Sequence, residues 1–311
     1  MVQNCKSSRS RSEAFIEAIN WRLPLQPQAV LNMIGRTIAT RSRLNFAALS
    51  GSAALIGKYK VSERLTFCSE FSTTPAPSNI TLYEYKICPF CNKVKAYLDF
   101  LELDYNSVEV NPLTKSELKF QKEITKVPLA TLNGLTIGES ADIINKITEK
   151  LNAGEYAIEK PLSSFYPADT KEWSDWADLK LAVMLYPNIT RTMSESWECF
   201  GYIDDVKTWN MPTRAVTKAL GTVAMSFANG KIKKKYGIVD ERAELLTCLQ
   251  VWTLALGGKN FLHGDSITMP DILVFGVLRA IEGLQTFTFI MEENKELKAW
   301  YDRVKLKIPR N

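Results

Sequence analysis

Residues 80–94, ITLYEYKICPFCNKV, constrain the fold of this 311-residue chain more than any other stretch. A β-prone apolar run (Ile80, Leu82, Tyr83, Tyr85, Ile87) leads into Cys88-Pro89-Phe90-Cys91, after which apolar residues recur at Val94, Tyr97, Leu98 and Leu101. A change from strand composition to helical spacing predicts strand, turn, helix, with Cys88 at the first helical turn. Pro89 suits that turn, because the N–H it lacks would have no partner there.

Unpaired N–H groups and aligned peptide dipoles at a helix start stabilise an anion by about 0.3–1 kcal/mol, and by up to about 2 where sheltered. A thiolate is such an anion. The first thiol of a Cys-x-x-Cys pair titrates between about 3.5 and 7.5 instead of about 8.5, and a pKa near 6 would ionise roughly 90% of it at neutral pH. Cys88 is therefore the candidate nucleophile, and Cys91, one turn on, the candidate resolving thiol. The pattern argues against zinc, since no second Cys pair follows and the one histidine, His263, is distant in sequence. No metal ligand is assigned.

The length suggests two domains, and 46% hydrophobic residues with seven tryptophans can build substantial cores. The net charge of +5 is uneven: residues 1–74 carry +6 and the rest about −1, which argues against nucleic-acid binding by the folded part. Residues 23–62 contain no acidic side chain and are frequent in Arg, Ser, Thr and Ala, as in a mitochondrial import presequence. The uncharged run at 44–57 is shorter than the roughly 18–20 residues needed to cross a bilayer. Import signal, membrane-surface segment and unstructured arm stay open for residues 1–78, which end in the linker STTPAPS.

Residues 79–152 read as one α/β domain. YNSVEV (105–110) is a second strand, residues 115–122 a short helix or turn, LATL a third strand, Asn133-Gly134 a hairpin turn and Leu135-Thr136-Ile137 a fourth strand. A helix follows Glu139-Ser140 with Ile143, Ile144, Ile147 and Leu151 on its apolar face. The order β-α-β, then hairpin, then helix is thioredoxin-like.

Residues 153–170 read as a linker and 171–311 as an all-α domain. Trp173, Trp176, Leu179, Val183 and Met184 mark a first amphipathic helix, and residues 216–227 a second whose Ala219, Gly221 and Ala224 permit close approach. A third runs from Leu245 to a stop at Gly257-Gly258. Thr268-Met269-Pro270-Asp271 is a capping box with Asp in place of the usual Glu. Lys231, Lys233, Lys234 and Lys235 form a solvated face, with an anionic lipid surface as the functional alternative. Cys199 and Cys248 are expected to be core thiols.

Strand, CPFC, helix, then Val127-Pro128 and Glu139-Ser140, resembles the N-terminal domain of glutaredoxins and glutathione transferases. More closely, LYEYKICPFCNKV, DFLELDYNSVEVNP and KVP resemble the membrane-associated prostaglandin E synthase type 2 family. The likeness continues in WADLKLAVMLYPNITRT and VFGVLRAIEGLQTF, over roughly residues 80–306. It implies a glutaredoxin-type thioredoxin-like domain followed by a glutathione-transferase-like helical domain.

The resemblance also implies roles. The bond before Pro128 would be cis, the Val127 backbone would hold the cysteinyl part of glutathione, and Glu139 and Ser140 its γ-glutamyl end. Tyr85 would donate a hydrogen bond to sulfur or substrate, and Lys86 could attract a carboxylate. The implied activity is isomerisation of prostaglandin H2, a lipid endoperoxide, to prostaglandin E2, with glutathione and, through it, haem as cofactors. Membrane association through the arm follows from the same likeness, at the Golgi membrane or in the cytosol where the arm's composition suggests mitochondria. A homodimer stays open, as do two other activities: thiol-disulfide exchange by Cys88 and Cys91, and non-catalytic carriage of glutathione or haem.

Overall fold

The computed structural model describes residues 79–156, 158 and 165–308; the arm at 1–78 and its targeting readings lie outside them. Strand β1 (Ile80–Glu84) is followed by helix α1 (Pro89–Phe100) and β2 (Asn106–Glu109). Then come β3 (Leu129–Leu132), β4 (Leu135–Gly138) and α2 (Ser140–Asn152). The strands form one mixed sheet in the order β2-β1-β3-β4, with β1 parallel to β2 and the other pairs antiparallel. This is the thioredoxin-like arrangement that the alternation of strand and helix signals predicts. Asn133 and Gly134 both take positive φ, +51° and +88°, the geometry of a tight primed hairpin turn.

Period-2 alternation gives the sheet two faces. Ile80, Leu82, Ala130 and Leu132 join the main core with Val94, Tyr97 and Leu98 of α1, with Leu101 just after it, and with Ile143 and Ile147 of α2. Tyr83, Tyr85 and Leu129 lie in a smaller cluster with Val110, Leu118, Ile124 and Val127. Each of the large buried apolar side chains contributes about 1.5–3 kcal/mol. The expected short element at 115–122 is a 3-10 turn, Ser116–Leu118, entered from Lys115 at φ +47°.

The rest is helical: α3 (Thr170–Trp176), a π-helical segment (Ala177–Leu181), α4 (Ala182–Ile189), α5 (Met193–Cys199) and α6 (Met211–Tyr236). Helices α7 (Glu241–Leu256), α8 (Met269–Arg279), α9 (Gln285–Glu293) and α10 (Lys295–Lys305) complete it. Trp173, Trp252 and Trp300 are fully buried and meet edge to face. Helix α7 stops at Gly257 in the left-handed conformation, as expected. Asp271 is fully buried at the start of α8, where it accepts from Thr268 N–H (3.0 Å), Thr268 O–H (2.8 Å), Leu262 N–H (3.0 Å) and Trp300 Nε1 (2.9 Å).

Three helical expectations need correction. Leu179 is 42% exposed, because the wider π turn carries it off the apolar face that α-helical spacing gave it. On α6 only Gly221 makes a close approach, with the Phe200 ring 2.8 Å from where its Cβ would stand, while Ala219 and Ala224 are exposed. Cys199 is buried as expected, but Cys248 is only half-buried.

Helix α1 lies between the sheet and α8, and its residues from Cys91 to Phe100 are almost all buried. Its two buried charges are neutralised by the helical domain. Lys93, fully buried, pairs with Asp178 at 2.6 Å, and Asp99 with Arg279 at 2.5 Å. The helix that carries Cys88 is thus fixed from both sides.

Candidate active site

Cys88 is the N-cap of α1, with extended backbone (φ −78°, ψ 120°), one residue before Pro89. The turn that presents it is braced throughout. Cys88 N–H donates to the Tyr85 carbonyl (2.9 Å), and Asn92 Nδ2 donates to the carbonyls of Lys86 (2.7 Å) and Cys88 (3.0 Å). From the neighbouring strand, Glu109 accepts the Lys86 N–H at 3.0 Å.

The two thiols differ sharply in environment. Cys88 is half-buried, and Cys91 is fully buried. The Cys88 pKa lies below its ordinary value, first because the Cys91 thiol hydrogen-bonds its sulfur, and then because backbone N–H groups of Cys91 and Phe90 do the same; burial and the charge of Glu84 oppose this. Burial pushes Cys91 well up, and its hydrogen bond to Cys88 adds to that. One thiol therefore gives its hydrogen to the other, and of the two Cys88 is the one that ionises more readily.

Tyr85 is half-buried, and burial, followed by the charges of Cys88 and Cys91, pushes it up to about 12. It keeps its proton at neutral pH and can donate. Glu109 is pushed up to about 8 by burial and by Glu84, its register partner across β1 and β2, although the Lys86 N–H and the Tyr202 hydroxyl stabilise its charge. Glu84 is itself buried, bonded to Ser107 and paired with Lys95 at 2.7 Å.

The residues implied for glutathione stand on neighbouring elements. The Val127-Pro128 bond is cis. Ladder pairing of β3 begins at Leu129, so the Val127 backbone lies outside it, and its side chain packs on the same small cluster as Tyr85. Glu139 takes φ +61°, ψ 130° at the N-cap of α2, is exposed and makes no capping bond with its side chain, while Ser140 is buried. A non-glycine residue in that region is the kind of local strain that collects at binding sites. Asp178, the partner of Lys93, feels the Glu139 charge, which links the start of α2 to α1.

Several contributors are not legible in sequence: Asn92, Glu109, Tyr202, and the pair of Lys93 with Asp178. Each is a polar residue whose burial depends on a partner distant in the chain, so periodicity gives no signal for it.

A mixed four-stranded sheet with a cis-proline, a Cys-x-x-Cys helix and an appended helical bundle defines a two-domain protein of glutathione-transferase type. The glutathione S-transferase N-terminal domain family matches residues 82–154, and its C-terminal domain family residues 221–308. Prostaglandin E synthase 2 of Danio rerio is 31% identical over 276 residues, covering 76% of this chain and 73% of that one. Prostaglandin E synthase 2 of Mus musculus is 30% identical over 268 residues, covering 72% and 69%. The chain belongs to the prostaglandin E synthase 2 family. Among solved structures, glutathione transferase F7 from Populus trichocarpa aligns with a TM-score of 0.48 at 14% identity, over 73% of this chain and 93% of that one. Glutaredoxin 2 from Salmonella typhimurium, solved with glutathione, aligns at 0.45 and 17%, over 75% and 97%.

Proposed function

We propose that this protein isomerises prostaglandin H2 to prostaglandin E2, with Cys88 as the reacting thiolate and glutathione in the groove beside it. The observation that carries this reading is a half-buried Cys88 at the N-terminus of α1 with the buried Cys91 one turn on, an arrangement that lowers the Cys88 pKa, in a chain of the prostaglandin E synthase 2 family. Attack of the Cys88 sulfur on the endoperoxide oxygen at C9 forms an S–O bond and breaks the O–O bond. The electron pair leaves on the C11 oxygen, which takes up a proton and becomes the hydroxyl. Loss of the C9 hydrogen as a proton then makes the ketone, as the S–O electrons return to sulfur. One proton is taken and one lost, so substrate and product are isomers.

Tyr85, protonated at neutral pH, is assigned to donate to the oxygen that leaves. Cys91 keeps Cys88 ionised; its full burial and raised pKa suit a donor better than a second nucleophile.

The residues present suit glutathione: the Val127 backbone outside the sheet ladder, and the start of α2, where the exposed Glu139 carboxylate makes no capping bond. Bound there, glutathione would supply a second thiol. Haem is different, because the chain's single histidine has both ring nitrogens engaged, Nδ1 with Thr268 and Nε2 with Asp169. A haem held on glutathione sulfur would need no imidazole, and no step above runs through one.

The test is an assay of the full chain with prostaglandin H2 and, separately, a glutathionylated peptide. Cys88→Ser should stop isomerisation and Cys91→Ser should leave most of it. Loss of peptide reduction but not isomerisation in Cys91→Ser supports the isomerase. Isomerisation surviving in Cys88→Ser contradicts it.

A further inference from the structure

Helix α6 carries a face that the described residues leave bare. Met211, Val216, Leu220, Val223 and Phe227 recur along it at spacings of three to five residues and are all exposed, Met211 at 72% and Phe227 at 77%. The exposed positions among them are small: Pro212, Ala215, Ala219 and Ala224, with Gly230 beyond. From 211 to 230 no exposed side chain on the helix is polar or charged.

The helix cannot roll to hide this stripe, because its polar side is fixed in the fold. Thr217, Thr222 and Asn229 are buried, and Asn229 Nδ2 donates to the carbonyls of Pro187 (3.0 Å) and Thr190 (2.7 Å). The two charged residues of the stretch are half-buried at its edge and bound to Asp204, Arg214 to the carbonyl (2.6 Å) and Lys218 to the carboxylate (2.5 Å).

The stripe presents on the order of 600 Å² of apolar surface, the upper end of what a monomer leaves bare and most of the roughly 800 Å² that each partner gives to a standard interface. Its large residues form ridges and its alanines leave grooves, the relief by which one helix packs on another; a lipid surface has no use for it. A helix lying on a membrane also carries cations along its length beside the apolar face, whereas the exposed lysines here, Lys231, Lys234 and Lys235, lie only beyond one end. An uncharged face is complementary to itself, since a two-fold axis sets no like charges against each other. Antiparallel helices keep the two lysine clusters at opposite ends and align the helix dipoles favourably, where parallel ones would bring both clusters together.

We propose that a second copy of this chain covers the face, α6 packing antiparallel on α6 of the partner about a two-fold axis near Ala219 and Leu220. Met211 of each copy then lies toward the Phe227 end of the other helix. This inference is independent of the isomerase reading.

The test is sedimentation velocity of the full chain at micromolar concentrations, in wild type, Leu220→Glu, Phe227→Glu and the control Lys171→Glu. All three positions are exposed, so the fold does not depend on them. Wild type and Lys171→Glu should sediment as dimers, and Leu220→Glu and Phe227→Glu should each raise the dimer dissociation constant at least tenfold. Oxidative crosslinking with the bridged peptides read by mass spectrometry tests the orientation. Ala219→Cys should link to itself, and Met211→Cys should link to Phe227→Cys in a mixture of the two variants but not to itself. A wild-type monomer overturns the proposal, as does a dimer that both glutamate variants leave intact. If the wild-type monomer pelleted with vesicles of phosphatidylcholine and phosphatidylserine and Leu220→Glu did not, lipid would be the occupant instead. A dimer weakened by the glutamates in which Met211→Cys links to itself overturns the antiparallel arrangement.

Discussion

Gly276 of α8 lies so close to α1 that a Cβ on it would stand 2.7 Å from Lys93 Cα and 2.8 Å from the Asn92 carbonyl oxygen. Backbone cannot yield as a flexible side chain can, so Gly276→Ala should push α1 from its seat and destabilise the protein by about 1–3 kcal/mol. Urea unfolding reads the loss, and the prostaglandin H2 assay should show a lower kcat, because Asn92 braces the turn that carries Cys88. A variant with unchanged midpoint and rate would mean that this contact does not position the site.

Lys93 and Asp178 tie the Cys88 helix to the helical domain through a fully buried ammonium. Burial raises the Asp178 pKa even against the pull of Lys93, so the pair adds little net stability yet is expensive to break. Asp178→Asn should cost about 3–5 kcal/mol, and adding Lys93→Met should recover much of it, in a double-mutant cycle by urea unfolding. Additive losses would contradict this.

Glu109 gives stability a pH dependence of calculable sign. Its folded pKa, about 8, is above its unfolded value, so between roughly pH 4.5 and 8 the folded protein keeps a proton that the unfolded chain has released. Its contribution is fully present below that window and is lost as pH rises through it. Glu109→Gln should therefore flatten the fall of Tm between pH 5 and 8.5 and raise Tm at the upper end. An identical pH profile in the variant would show that Glu109 titrates normally.

Cys91 acts here through the hydrogen it gives. Cys91→Ala removes that donor and should slow alkylation of Cys88 by iodoacetamide at pH 7 several-fold, whereas Cys91→Ser, which keeps a hydroxyl, should slow it less. Equal rates in wild type and Cys91→Ala would assign the low pKa to other groups.

Features set by local chemistry were legible in the sequence. The shift of period at Cys88, the Asn133-Gly134 turn and the carboxylate of Asp271 that caps α8 each depend on residues a few positions apart. The cis Val127-Pro128 bond came only through family likeness, and the strained backbone at Glu139 gave no signal at all in spacing. Residues whose meaning depends on distant partners were hidden. Lys93 reads as an exposed helix lysine until Asp178 covers it, and Glu109 reads as the outward member of an alternating strand until Lys86 and Tyr202 close over it. Leu179 was misplaced because a π turn leaves no mark in an amphipathic pattern.

The central claim is that Cys88 is ionised at neutral pH in the folded protein, and its pH profile of alkylation tests that most directly. With site occupancy read by mass spectrometry to separate Cys88 from the other thiols, the rate should rise through an apparent pKa below the ordinary value of about 8.5. A midpoint at or above about 8.5 would contradict the account.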